Sequence, residues 1–322
     1  MTERLAMLSP SNVEGNVELR QLSSPRPPAP PKESLTDSNP DFADYRNERC
    51  DHLGKGKFRL NGQCLRSGAT LAFVLLALPV VVLAQTDEIQ VYDAAIADQG
   101  VFNLMIHTNY TPIGRKTPAF PGGIIPDHSV NGTAEWAYGV NSWFEQGLYL
   151  PVWTPYSQGR GASIDGFKIR ELFVRPHAED HMFIYGVNFE LSFNRLYWEP
   201  RHVTSEVRPI VGVHLHPVDI IFNPIVDTDY TGGFKNLEFV PATRVAYNFN
   251  EKWAVAAEEY SDFGPLRHFY PIGDQSHEVW AVLDHPGKIV NIEAGIGIGV
   301  TGGADKLTFK LMLSRDLNAK SK

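Results

Sequence analysis

Cysteine is almost missing from this 322-residue chain: Cys50 and Cys64 are its two examples, and none follows them. Everything beyond residue 64 is barred from disulfides, thiolate metal sites and a cysteine nucleophile. Long apolar runs are scarce as well. One exists, ATLAFVLLALPVVVLA at residues 69–84. A helical membrane protein would need several, so that class is excluded. A membrane β-barrel is not excluded, because its strands alternate apolar and polar residues and carry no long apolar run. Positive charge is in the minority. Beyond Ala84, 19 Lys and Arg stand against 28 Asp and Glu, which gives no electrostatic reason to bind nucleic acid or an anionic membrane surface. Walker loops, paired-cysteine metal motifs and HExxH are all absent, and no cofactor or metal is expected.

The single apolar run reads as an export signal. Lys55, Lys57, Arg59 and Arg66 precede it and Ala84 closes it. Basic flank, apolar run and small-residue exit are the parts of a secretory signal peptide. The run falls short of the roughly 20 residues of a spanning helix, and Pro79 interrupts it. The expected organisation is therefore residues 1–56 as a disordered leader, 57–84 as a signal peptide cleaved after Ala84, and 85–322 as the exported domain. An uncleaved inner-membrane anchor is the alternative. The leader contains PRPPAPP at 25–31 and lacks apolar periodicity. Its length ahead of a signal peptide points to a start site assigned too far upstream, or to an unusually long leader.

Beyond residue 100 the chain alternates with period two. In residues 101–110, Phe102, Leu104, Ile106, Thr108 and Tyr110 oppose Asn103, Met105, His107 and Asn109. Similar stretches cover 130–140, 143–153, 164–175, 182–194, 204–215, 218–228, 236–248, 253–262, 277–284, 290–300 and 307–313. Such alternation marks strands with one apolar and one polar face. In 143–153, Phe144, Leu148, Leu150 and Val152 share the apolar side; in 253–262, adjacent Glu258 and Glu259 leave the inward face open. About twelve strands of this length, joined by turns that alternate short and long, describe an all-β single antiparallel transmembrane barrel. Aromatics near strand ends (Trp136, Trp143, Trp153, Tyr247, Trp253) suit interfacial girdles.

Several runs resemble a known family: EIQVYDA at 88–94, EWAYGVNSWFEQGLYLP at 135–151, FIYGVNFELSFN at 183–194, EVRPIVG at 206–212 and FNPIVD at 222–227. They are similar to bacterial outer-membrane proteins, many uncharacterised, grouped with those of phenol-degradation (MetA-type) pathways. The resemblance implies a barrel in the outer membrane of a bacterial cell and passage of small, apolar or aromatic compounds. Its implied partners are outer-membrane lipid, the barrel-insertion machinery and an unnamed small solute, with no nucleic acid.

A charged side chain facing mid-bilayer costs about 2–4 kcal/mol for Arg or Lys, so charges are expected to face inward. The candidate lumen lining is Asn103, His107, Glu135, Glu145, Lys168, Arg170, Asn188, Glu190, Glu206, Arg208, Asp219, Asn223, Glu238, Arg244 and Glu293. Residues 111–127, rich in Pro and Gly, are expected to fold inward as a constriction. Pro151, Pro209, Pro224 and Pro241 interrupt strands, either as bulges or as a weakened wall. His214-Leu215-His216 offers two imidazoles and no third ligand. No spacing supports a catalytic triad. A non-enzymatic channel is the first expectation. A plugged structural or adhesive barrel whose loops bind a partner, and an outer-membrane hydrolase, are the alternatives.

Overall fold

The computed structural model describes residues 87–318. The leader, the signal peptide and its cleavage point lie outside them. Among the described residues no helix is long and apolar enough to cross a membrane, and strands do the work instead. Fourteen segments occur in chain order: β1 Phe102–Ile113, β2 Ile125–Asn141, β3 Phe144–Gln158, β4 Ser163–Val174, β5 Phe183–Asn194, β6 Val203–His214, β7 Val218–Asn223, β8 Val226–Thr228, β9 Glu238–Phe239, β10 Ala242–Asn250, β11 Trp253–Asp262, β12 Ser276–His285, β13 Asn291–Gly299 and β14 Leu307–Asp316. They build twelve antiparallel strands, because β7 with β8, and β9 with β10, are halves of strands broken by proline. Each neighbour in sequence pairs with the next. β1 also pairs with β14, and β5 with β6, so the sheet closes on itself and has no free edge.

The two breaks explain themselves. Pro224 and Pro241 cannot donate to a ladder, and β6 pairs with β7 through residues 211–214 and with β8 through 205–207, skipping the positions between. The wall is not left open there: Val240 N donates to the Ile225 carbonyl at 3.1 Å and Ser261 N to the Pro241 carbonyl at 3.0 Å. Pro151 acts differently. The β3 register slips between Tyr149 and Val152 against β4, and one extra residue reverses the parity beyond it. Val152, expected on the apolar outer side, is therefore buried inside, against Tyr149, Ile124 and Trp198.

Elsewhere the alternation sets the faces. Phe183, Tyr185, Phe189, Val211, Ile220, Val245, Leu283, Ile296 and Phe309 are exposed on the outer wall, although they are large and apolar. An exposed apolar band of this extent fits lipid rather than water. Aromatic contacts gather at its two rims: Phe102 with Tyr138, and Trp143 with Phe144 and Phe173, at the short-turn end; Phe239 with Phe263 and Phe269 at the other. The ambiguity at Glu258 and Glu259 resolves inward for Glu258, which is 2% exposed. Glycines in β13 make room inside the barrel: a Cβ at Gly297 would overlap the Trp280 indole.

Candidate solute pathway

Residues 87–94, ahead of the first strand, lie inside the barrel, and 95–100 carry the segment out to the rim. They run from mid-barrel toward the short-turn end, and each step is held by the wall. Lys168 Nζ donates to Asp87 Oδ1 at 2.8 Å, Lys310 Nζ to the Ile89 carbonyl at 3.1 Å, and Arg208 Nη1 to the Gln90 carbonyl at 3.0 Å. Tyr92 N donates to Asn223 Oδ1 at 2.8 Å, and Asn223 Nδ2 donates back to the Tyr92 carbonyl at 3.0 Å. Ala97 N reaches Glu145 at 2.6 Å, and Gly100 N the Gly139 carbonyl at 2.7 Å. A chain segment enclosed by a barrel must find partners for its backbone groups; inward polar side chains supply them. The segment's apolar side chains fill what remains. Val91, Tyr92 and Ala94 pack on Leu172, Ile184, Ile210, Ile221, Ile225 and Ala242, while Ile89 packs on Ala246, Ala256, Trp280 and Val282. Burial of Ile89, Val91 and Tyr92 contributes roughly 1.5–3 kcal/mol apiece.

The short-turn half is consequently sealed. Its charges are closely paired. Arg170 Nη2 lies 2.8 Å from Glu135 and 2.6 Å from Glu145, and His107 Nε2 lies 3.0 Å from Glu135. Arg244 bonds Glu258 and Asp284 and lies 3.9 Å from Glu293. Lys310 lies 2.6 Å from Glu258 and 2.7 Å from Glu293. Tyr149 and Trp280 are at most 1% exposed in this layer.

Above this layer is a cavity of about 630 Å³, floored by Asp87, Glu88, Ile89 and Gln90. Its wall carries eleven acidic residues against four basic ones, Arg115, Lys168, Arg201 and Arg208. Arg208 is held by Glu206 at 2.6 and 3.0 Å and by Glu88 at 3.5 Å. The loop 195–202 supplies Trp198, Glu199 and Arg201. Burial pushes the Glu199 carboxyl up to about 7, helped by repulsion from Asp229 and opposed by Lys168 and Arg201.

Of the fifteen residues expected in the lumen, Lys168, Glu190, Glu206, Arg208 and Glu238 line this cavity. Asn188 Nδ2 supports Glu190 at 2.8 Å. His107, Glu135, Glu145, Arg170, Asn223, Arg244 and Glu293 brace the sealed half or hold the inner segment. Two sit at the short-turn rim: Asn103 donates to Asp316 at 2.8 Å, and Asp219 contacts His214 at 2.7 Å and Asn248 at 2.6 Å. That contact gives His214 Nδ1 a carboxylate partner. β1 and β2 absorb both ends of residues 111–127; between them the connection gives the cavity Arg115 and seats Ile124 inside on Tyr149, Val152 and Trp198, and loop 195–202, which was not expected there, projects beside it. Sequence reasoning also missed Asp87, Glu88, Asp227, Glu258 and Lys310. The last three follow strand parity and were within reach of it; Asp87 and Glu88 precede the strands and gave no periodic signal.

With this geometry established, comparison with solved structures finds an outer-membrane channel from Pseudomonas putida F1 at 11% identity and a TM-score of 0.51, covering 71% of this chain and all of that one. The likeness is one of fold. A bacterial polysaccharide outer-membrane secretin and LpxR from Salmonella typhimurium also align, at 10% and 7% identity over 69% and 66% of this chain and essentially all of theirs, with TM-scores of 0.36 and 0.35 that carry no argument. No protein-family model and no curated protein matches the chain.

Proposed function

We propose that this barrel is a bacterial outer-membrane channel for small hydrophilic solutes, held closed on its short-turn side by residues 87–100. The carrying observation is the division of the interior: a polar cavity of about 630 Å³ ends on a segment of chain, not on the barrel wall. Residues 87–100 and the braced wall side chains they bond stand between the cavity and the short-turn end. In outer-membrane barrels that end faces the periplasm, which makes the cavity an outward-facing vestibule. Its acidic lining favours polar solutes over the apolar or aromatic ones that family resemblance suggested. Seating Asp87 inside the lumen also fits cleavage after Ala84 better than a retained anchor.

The sealed layer equally suits a plugged structural barrel, and conductance separates the two. In planar bilayers the full chain should show small, intermittent currents, and a variant lacking residues 87–97 should conduct steadily, well over tenfold more, since the buried contacts it loses exceed the roughly 1.4 kcal/mol that shifts an equilibrium tenfold. Equal silence from both, with heat-modifiable migration intact, would leave the structural reading standing. A hydrolase has one geometric foothold: Ser261 Oγ lies 2.6 Å from His277 Nδ1, and His277 Nε2 lies 2.8 Å from Gln275. The Ser261 hydroxyl, however, is bonded to Glu259 and is 7% exposed, an arrangement that braces the wall.

A further inference from the structure

We propose that the vestibule is a binding site for a linear aliphatic diamine or polyamine. Strand register places four carboxylates in one row: Glu190 opposite Glu206, Glu206 opposite Asp227, and Asp227 opposite Glu238. Neighbouring strands lie about 4.8 Å apart, so the row spans roughly 14 Å. Like charges directly opposite one another across strands repel. The nearby cations relieve only the Glu190 and Glu206 half of the row. Arg208 is bidentate on Glu206 and spends its remaining contacts on the inner segment. Lys168 is nearest to Asp87 and only 3.7 Å from Glu190. Among the described residues Asp227 and Glu238 have no ion-pair partner, and Asp227 Oδ1 has no hydrogen bond.

Independent side chains point the same way. Glu199, from the loop above the row, is only 9% exposed and lines the cavity, and its carboxylate makes no hydrogen bond or ion pair among the described residues. On the floor, Asp87 and Glu88 are 4% and 7% exposed, and each keeps one oxygen without a hydrogen-bond partner. A buried carboxylate oxygen without a partner is costly, so a bound cation would relieve Glu199 together with the free oxygens of Asp87 and Glu88, whose other oxygens Lys168 and Arg208 hold.

The spacing decides which cation. A divalent metal gathers its oxygens into one coordination sphere at 2.0–2.6 Å. Among the described residues just one acidic group converges that closely, His177 with Glu179 and Asp180 on an exposed turn, and the vestibule carboxylates do not. A row of separated carboxylates instead matches positive charges carried apart on one chain. Each ammonium brings three donors, and the methylenes between them find Ile225, Val240 and Trp198 in the same cavity. Linking two or more ammonium groups makes the later contacts intramolecular, which favours a polyamine over a monoamine.

The inference takes its physiological meaning from the channel reading, but binding at the row is measurable without conduction. Isothermal titration of the detergent-purified full chain with spermidine, butylamine, magnesium chloride and succinate tests it. Spermidine should bind saturably, about tenfold or more tighter than butylamine or Mg²⁺, as expected for linked charges, and succinate should not bind. The double variant Asp227→Asn, Glu238→Gln should weaken spermidine binding by about tenfold, near the loss of one charge-assisted bond, while keeping heat-modifiable migration. Glu199→Gln, in a loop, should weaken it severalfold and serves if the strand variant fails to fold. Absence of saturable spermidine binding, unchanged affinity in the variants, or tighter binding of Mg²⁺ overturns the proposal. Spermidine binding with no current through the 87–97 deletion would instead overturn the channel reading and leave this one intact.

Discussion

The two halves of the barrel interior use the same residue types for opposite ends. In the short-turn half each basic side chain is shared between acids: Arg170 serves Glu135 and Glu145, and Lys310 serves Glu258 and Glu293. In the long-loop half eleven acids meet four bases, and Asp227, Glu238 and Glu199 are left without a cation among the described residues. Inward charge alone therefore does not mark a pathway. Pairing distinguishes a brace from a vestibule, and the boundary between them is the chain's own segment 87–100.

Matched substitutions in the two halves sharpen that contrast. Lys310→Met leaves Glu258, wholly buried, short of a partner, and breaking such a buried pair costs about 3–5 kcal/mol. Its urea midpoint for unfolding from detergent should fall accordingly. Lys168→Met, at a side chain 14% exposed beside the cavity, leaves Asp87 and Glu190 short of a partner next to solvent and should cost less, about 1–3 kcal/mol. Equal losses would mean that the halves do not differ in pairing. Asn223→Ala removes both hydrogen bonds to the Tyr92 backbone. At about 1 kcal/mol each, their loss should raise open probability roughly tenfold or more in planar bilayers, with little change in conductance once open. The smallest effect is one of pH. Glu199 titrates at about 7, so it is charged above that pH and neutral below it. Spermidine affinity should fall by a factor of a few as pH drops from 8 to 6, and Glu199→Gln should shrink that step.

Most of the wall was legible in the sequence because a pleated strand shows its two faces at every second residue. Residues 183–194 and 253–262 could be read off almost to the residue. The failures have physical causes. Val152 lies beyond a bulge, and parity does not survive an extra residue. The strands at 218–228 and 236–248 contain Pro224 and Pro241, which the alternation passes over but the ladder does not. The acidic row was invisible because it depends on register among β5, β6, β8 and β9, not on spacing within any one of them. Residues 87–100 were the largest omission. Their position follows from contacts with Lys168, Arg208, Asn223 and Lys310, scattered over more than 140 residues of later sequence.

The division of the interior can be tested directly by thiol labelling, since the chain has no cysteine after Cys64. Thr204→Cys lines the vestibule on the same strand face as Glu206, whereas Ala94→Cys replaces a side chain 2% exposed in the apolar packing of the inner segment. Intact cells would be treated with a membrane-impermeant maleimide, and labelling at the two positions compared. Rapid reaction at 204 with protection at 94, lost when Asn223→Ala is added, is the predicted result. Equal labelling at 204 and 94 in the otherwise unaltered protein would contradict a barrel closed by residues 87–100.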